Sequence, residues 1–189
     1  GSYTASKPVQ SMQDYYNAVM NKQSRPVYYG SQPTAPPSPP ATPPPTTPPS
    51  QPAPPPPPAP AELTAAEARL FELINLARSG EGVQPVEIDL KLVEIARIKA
   101  RDMQANNYFG HVSPTYGYPG QMLRTFGVSF RSAGENLSKA GDVYKAHLLL
   151  LNSTKGHREI MLDPDFSRVG VAVLPVGSYV LVVEIFVQP

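Results

Sequence analysis

The fold class is decided by residues 169–188, which read VGVAVLPVGSYVLVVEIFVQ. Apolar residues alternate from Val169 to Val173, which predicts a strand with one buried face. The stretch from Pro175 to Ser178 has the composition of a turn. From Tyr179 to Gln188 apolar residues occupy both faces, so this second strand is predicted to lie in the centre of a sheet.

Helix signals occupy much of the chain before these strands. Thr64 and Glu67 form a capping box ahead of an apolar stripe that ends before Gly80. The sequence between the second and third helices, around Pro114 and Gly120, reads as loop. Helices packed on a small antiparallel sheet make an α+β layered domain. The further helices are predicted over about Glu87 to Asn106, after an Asp142 cap, and in a short turn from a Thr154 cap through His157 to Leu162.

Proline divides the chain of 189 residues, because 17 of its 25 prolines fall between Pro33 and Pro60. That segment favours polyproline II and predicts a semi-rigid linker, with a docking site for an aromatic-groove partner as the alternative. Residues 1–32 are rich in tyrosine and are predicted to be disordered or to fold only against a partner. Residues 61–189 are the one part long enough to bury a full core.

Charge and cysteine content exclude several classes of function. Sixteen Lys and Arg against 15 Asp and Glu leave no basic excess for nucleic acid, and the longest leucine run, Leu148–Leu151, is too short for a membrane span. With no cysteine, the chain has no disulfide and no thiolate ligand or nucleophile. The Gly1-Ser2 start resembles a cloning remnant, so any signal peptide would be missing from this sequence.

Two of the three histidines stand where backbone turns. His111 follows Gly110 and His157 follows Gly156, and Glu135 lies between them in a Gly-Glu-Asn-Leu segment predicted to be a loop. Two imidazoles and a carboxylate can hold a divalent cation. Because 24 and 22 residues separate the three, spacing alone leaves ordinary surface or hydrogen-bonded histidines as the alternative. His147 is predicted to face solvent from the third helix.

Several short segments together resemble the CAP superfamily (cysteine-rich secretory, antigen 5 and pathogenesis-related proteins) in its bacterial SCP-like form. The resemblance covers about residues 65–187 and implies a three-layer α-β-α sandwich around an antiparallel sheet, with a cleft that holds two His and two Glu. The segments that carry it are YFGHVSP at 108–114, GENL at 134–137, GHR at 156–158, ELINLAR at 72–78 and FSRVGVA at 166–172.

The resemblance assigns the cleft residues one by one. His111 and His157 match the family's two histidines, and Glu135 matches the glutamate of its GEN motif. The second glutamate is missing, because the segment that should carry it reads LNSTK at 151–155, so Asn152 or Ser153 is expected to face the cleft. Tyr116 is a candidate for the cleft rim.

Glu184 stands where bacterial relatives usually have glutamine. A carboxylate in so apolar a strand requires a partner. It is expected either to line the cleft or to pair with an arginine such as Arg101 or Arg158.

The leading interpretation is a secreted or cell-surface CAP domain that acts as a binding module. Its cleft would take a divalent cation, foremost Zn²⁺, through His111 and His157 with Glu135, and a lipid, sterol or cell-wall ligand is implied as a partner. One alternative is a metal-assisted hydrolase with Glu135 as base. The other is a structural head on a proline-rich stalk. The missing second carboxylate favours binding over catalysis.

Overall fold

The structure is a computed structural model and describes residues 62–189. The tyrosine-rich segment 1–32 and the linker 33–60 lie outside the described residues, so the proposed division of the chain stays a prediction. Among the helices of residues 62–189, none combines the length and hydropathy that crossing a bilayer requires. In chain order the elements are α1 (Ala65–Gly80), β1 (Glu87–Ile88), α2 (Leu90–Ala105), α3 (Pro119–Thr125), β2 (Ser132–Ala140), α4 (Val143–Leu151), α5 (His157–Leu162), β3 (Arg168–Val176) and β4 (Tyr179–Gln188).

The four strands form one sheet in the order β1-β3-β4-β2. β4 pairs antiparallel with both β3 and β2, which confirms that the most apolar strand is central. The sheet is mixed and not purely antiparallel as predicted, because the two-residue β1 runs parallel to β3. Within residues 62–189, β2 is therefore an edge strand.

Both faces of the sheet are covered by helices, which gives the three layers. One face packs on α1, α4 and α5, and the other packs on α2 and α3. β4 contributes side chains to the hydrophobic cores on both faces of the sheet, since successive side chains point to opposite faces of a strand. From β4, the first core includes Val182 and Phe186, and the second includes Leu181, Val183, Ile185 and Val187.

A glycine allows α2 to approach the sheet closely. A Cβ added at Gly170 of β3 would lie 2.1 Å from the backbone carbonyl carbon of Leu92. No real side chain tolerates that distance, so the packing of α2 on β3 requires glycine at this position.

The helix starts follow the sequence signals in two cases. The Thr64–Glu67 capping box is confirmed, with Thr64 Oγ1 accepting from the Glu67 N–H. Glu67 is also buried against Arg97 of α2, with Oε2 2.5 Å from Nη2, so the cap ties the two helices together. The Asp142 cap is likewise confirmed, because its side chain accepts from the Lys145 N–H.

Three predicted boundaries are wrong. α2 begins at Leu90 and not near Glu87, because Glu87–Ile88 pairs as β1 and Asp89 is the N-cap. The short helix begins at His157, behind Gly156 at φ 94°, and not from a Thr154 cap. The GENL segment is part of β2 and not a loop, since its pairing with β4 overrides a small and polar composition of low strand propensity.

Candidate functional site

His111 lies in the loop between α2 and α3, beside the edge strand. Its Nδ1 is 2.8 Å from Glu135 Oε1, and the Glu135 side chain is 3% exposed while that of His111 is 51% exposed. A carboxylate accepts the Nδ1 proton, so this contact favours the tautomer in which Nε2 carries the free lone pair. The Glu135 side chain therefore orients a ring whose other nitrogen is available to a ligand.

Lys99 of α2 makes a hydrogen bond to the backbone of the same loop. Its Nζ donates to the His111 carbonyl at 2.7 Å, and the residue is 1% exposed. Burial lowers the pKa of Lys99 and outweighs the opposing attraction of Glu135 and Asp102. The chain thus buries an ammonium group to fix the backbone of a candidate site residue.

Asp102, one turn further along α2, anchors the rest of the loop. It accepts hydrogen bonds from the hydroxyl groups of Tyr108, Ser113 and Thr115. Burial raises the pKa of Asp102, but these three bonds and the charge of Lys99 outweigh it and hold the pKa below its usual value. The loop that carries His111 is therefore positioned by two polar side chains of α2 before any ligand arrives.

His157 is the first residue of α5, on the other side of β2. Its Nδ1 is 2.7 Å from Ser153 Oγ, which also accepts the Lys155 N–H. Its carbonyl accepts from Asn136 Nδ2 at 2.9 Å. As with His111, the chain itself contacts Nδ1 and fixes the backbone.

The edge strand β2 contacts both of the segments that carry these histidines. Glu135 and Asn136 are consecutive, so their side chains point to opposite faces of the sheet. Glu135 reaches His111 on the α2 side, and Asn136 reaches His157 on the α5 side. We call these four residues, with Ser153, the β2-edge site.

The donor set of the β2-edge site fits a metal ion only in part. Residues 62–189 contain no group of three or more His, Asp or Glu placed to hold one. The site offers the Nε2 atoms of His111 and His157, since Glu135 Oε1 is engaged with His111 Nδ1. Structural and catalytic zinc sites usually use three or four protein ligands, whereas the β2-edge site of residues 62–189 supplies two, with Glu135 in an orienting role.

The other predicted cleft residues are spread around this site. Ser153 contacts His157, as described, whereas Asn152 is exposed at the C-cap of α4. Tyr116 is half-buried and packs its ring against Phe126, with 5.6 Å between ring centroids. It belongs to the same loop as His111.

Glu184 lies in the core next to Asn136. It is 0% exposed, and its Oε2 accepts from Asn136 Nδ2 at 3.1 Å. Burial raises the pKa of Glu184 to about 8. The predicted arginine partner is wrong, because the described contact is this amide, and Arg158 instead pairs with Glu81. Through Asn136, Glu184 is linked to the backbone of His157.

His147 contradicts the solvent-facing prediction. It is 2% exposed, and burial lowers its pKa to about 4. Because four consecutive leucines follow it, the sequence does not show which face of this helix is buried. The buried face of α4 carries Ala146, His147, Leu150 and Leu151, while Leu149 is 58% exposed.

Arg78 of α1 fixes the position of α5. It is 0% exposed, and its guanidinium donates to the carbonyls of Gln84, Met161, Asp163 and Phe166 at 2.7–3.0 Å. Two of these carbonyls belong to the end of α5 and its C-cap. Arg78 therefore holds the helix that presents His157.

Sequence reasoning missed Lys99, Asp102, Asn136 and Arg78. Lys99 was detectable, because it occupies the apolar stripe of α2 between Leu92 and Met103 at helical spacing. A charged residue in such a stripe is an exception that requires a buried partner.

Comparison with known proteins shows which family this chain resembles. A sequence profile described as "CAP: Cysteine-rich secretory protein family" matches residues 71–188. YkwD of Bacillus subtilis, an uncharacterized protein, is 38% identical over 118 residues, which is 62% of this chain and 46% of YkwD. This chain therefore spans less than half the length of that relative.

Two solved structures share the fold. An extracellular protein of Bacillus anthracis that contains an SCP domain superposes with a TM-score of 0.61 at 32% identity, over 66% of this chain and 40% of that one. An outer surface protein of Borrelia burgdorferi superposes with a TM-score of 0.60 at 22% identity, over 64% of this chain and 90% of that one. The second likeness shows the fold alone.

Proposed function

The chain belongs to the cysteine-rich secretory protein (CAP) family, and on that premise we propose that it is a binding module whose β2-edge site takes a divalent cation, foremost Zn²⁺. His111 and His157 would hold the ion through Nε2, and Glu135 would orient His111. A bound cation would supply a positive centre that attracts an anionic or carbonyl group of a further ligand, a lipid, sterol or cell-wall component.

The observation that carries this proposal is that the protein itself contacts the Nδ1 atoms of His111 and His157. Each is contacted by a side chain of the protein, Glu135 at 2.8 Å and Ser153 at 2.7 Å. Metal-ligating histidines typically bond their second nitrogen in this way, which fixes the ring and its tautomer. For His157 the arrangement requires that Nδ1–H donates to Ser153 Oγ.

Binding is favoured over hydrolysis by the carboxylates near the site. Glu135 is engaged with His111, and the position of the family's second glutamate falls in the LNSTK segment at 151–155. Glu184 is fully buried and bonded to Asn136. A metal-assisted hydrolase needs a base within reach of its water, and these contacts engage both Glu135 and Glu184 elsewhere.

We place the protein outside the cell or on its surface as part of the same proposal. The support is the Bacillus anthracis relative, an extracellular protein that is 32% identical. The proposal concerns this chain alone, since it covers 46% of YkwD and 40% of the Bacillus anthracis protein.

Zinc titration by calorimetry tests the proposal. His111→Ala and His157→Ala should each weaken zinc binding at least tenfold, about 1.4 kcal/mol, because each removes one of two nitrogen ligands. Glu159→Ala is the matched control: it removes an exposed carboxylate of α5 and should leave the affinity unchanged. Zinc binding that survives both histidine substitutions would place the cation elsewhere.

A further inference from the structure

A pocket with a different lining from the β2-edge site lies near the C-terminal end of β2, at Lys139. Its volume is about 360 Å³, within the range of small-molecule sites. It opens between the C-terminal end of α2 and the turn that joins β3 to β4. Buried Met103 of α2 and Leu181 of β4 line it. We call it the hairpin pocket.

The pocket combines aromatic rings with a cation. Phe109 and Tyr179 line it, and the Phe109 residue is 51% exposed. Lys139 of β2 also lines it, with Nζ 4.0 Å from the centroid of the Tyr179 ring. Since Lys139 is exposed, a ligand that enters the pocket meets an ammonium group and at least one open aromatic face.

Two amide side chains complete the rim. Gln104 is the second-last residue of α2, and Asn107 lies just beyond the C-cap of this helix with φ 51°, in the left-handed region. Both are exposed, and among residues 62–189 neither side-chain amide has a hydrogen-bond partner. Each amide offers donors and an acceptor side by side, which matches the alternating hydroxyl groups of a ligand.

We propose that the hairpin pocket binds a sugar ring that carries a carboxylate, as part of an acidic glycan. The C–H face of a pyranose packs on an exposed aromatic ring, its hydroxyl groups bond the amides of Gln104 and Asn107, and its carboxylate pairs with Lys139. A purely apolar ligand would displace water from the two amides and the ammonium group without replacing the hydrogen bonds of that water, which lowers affinity. A neutral sugar forms no ion pair with Lys139.

This site is independent of the cation site. It uses none of the residues of the β2-edge site, although Phe109 lies two residues before His111. Glycan binding should therefore persist in the presence of a chelator. A failure of zinc binding would leave this proposal standing, and the reverse also holds.

The test uses the full chain in chelating buffer, with backbone amide shifts followed by NMR. The probes are a glucuronate oligosaccharide and a glucose oligosaccharide of the same length. We expect shifts confined to residues near 103–109, 139 and 176–181, with the acidic probe bound at least fivefold more tightly, close to 1 kcal/mol.

Three variants separate the contributions. Lys139→Gln should remove the preference for the acidic probe, and Phe109→Ala should weaken both probes about tenfold. Leu149→Ala is the matched control, because it removes a similarly exposed apolar side chain from α4 in the other helical layer. An acidic preference that survives Lys139→Gln, or the absence of shifts in the hairpin pocket at about 10 mM probe, would overturn the proposal.

Discussion

Replacing Arg78 with methionine should lower the free energy of unfolding by about 3–5 kcal/mol, a loss typical of a buried charged network that is broken. Methionine fills much of the volume but donates no hydrogen bond. Four carbonyls, at Gln84, Met161, Asp163 and Phe166, would lose the hydrogen bond from the guanidinium, and the bonds to Met161 and Phe166 lie in the buried interior. Leaving a buried acceptor without a partner costs about 1–3 kcal/mol per group.

Urea denaturation checks this expectation, with Arg69→Met as the matched control. Arg69 lies on the same helix, its side chain is 41% exposed, and its partner is Glu72 at 3.4 Å. An exposed pair of this kind contributes about 0–1 kcal/mol, so the control should unfold close to wild type. Arg78→Lys should recover little, since one ammonium group cannot reach all four carbonyls. A loss below about 1 kcal/mol for Arg78→Met would mean that water replaces the guanidinium.

Glu184→Gln should stabilise the protein increasingly as the pH rises. Burial raises the pKa of Glu184 from 4.5 to about 8, so the folded protein holds a proton that the unfolded chain releases. The favourable contribution of this proton is fully present below pH 4.5 and is lost as the pH rises to about 8. Over that window the expected loss is on the order of 5 kcal/mol. Glutamine keeps the oxygen that accepts from Asn136 and does not ionise.

Unfolding free energies of wild type and variant across pH 4–9 give the measurement. Their difference should grow between pH 4.5 and about 8 and then level off. Burial lowers the pKa of His147 from 6.5 to about 4, so its contribution is present above pH 6.5 and is lost as the pH falls toward 4. Both proteins share that loss, so it cancels in the difference. A flat curve for Glu184→Gln would mean that the Glu184 carboxylate ionises freely in the folded protein.

The sequence was sufficient for the elements whose signals are local. The capping box at Thr64, the cap at Asp142 and the two-faced apolar strand β4 are each determined by residues within a few positions. The strand β2 was not predictable in this way. Its Gly, Glu, Asn and Ser residues have little preference for a strand, and they adopt one because β4 pairs along their whole length.

The candidate site divides in the same manner. The motif resemblance selected His111, Glu135 and His157, and the structure brings Glu135 to His111. The motif resemblance could not reveal that Glu135 and Asn136 point to opposite faces of an edge strand, because the position of β2 at the edge depends on the order of strands in the sheet. Nor could it reveal the partner of Glu184, which lies 48 residues away in the sequence.

Nitrogen-15 NMR of the imidazole rings tests the central claim, that the β2-edge site binds a cation through the Nε2 atoms of His111 and His157. Zinc is added to protein labelled at the ring nitrogens, and the three histidines are assigned by substitution. The account predicts that Nδ1 of His111 carries the proton before and after addition, and that the Nε2 signals of His111 and His157 shift together at one equivalent. Unchanged Nε2 signals for both rings, or zinc bound through Nδ1, would contradict it.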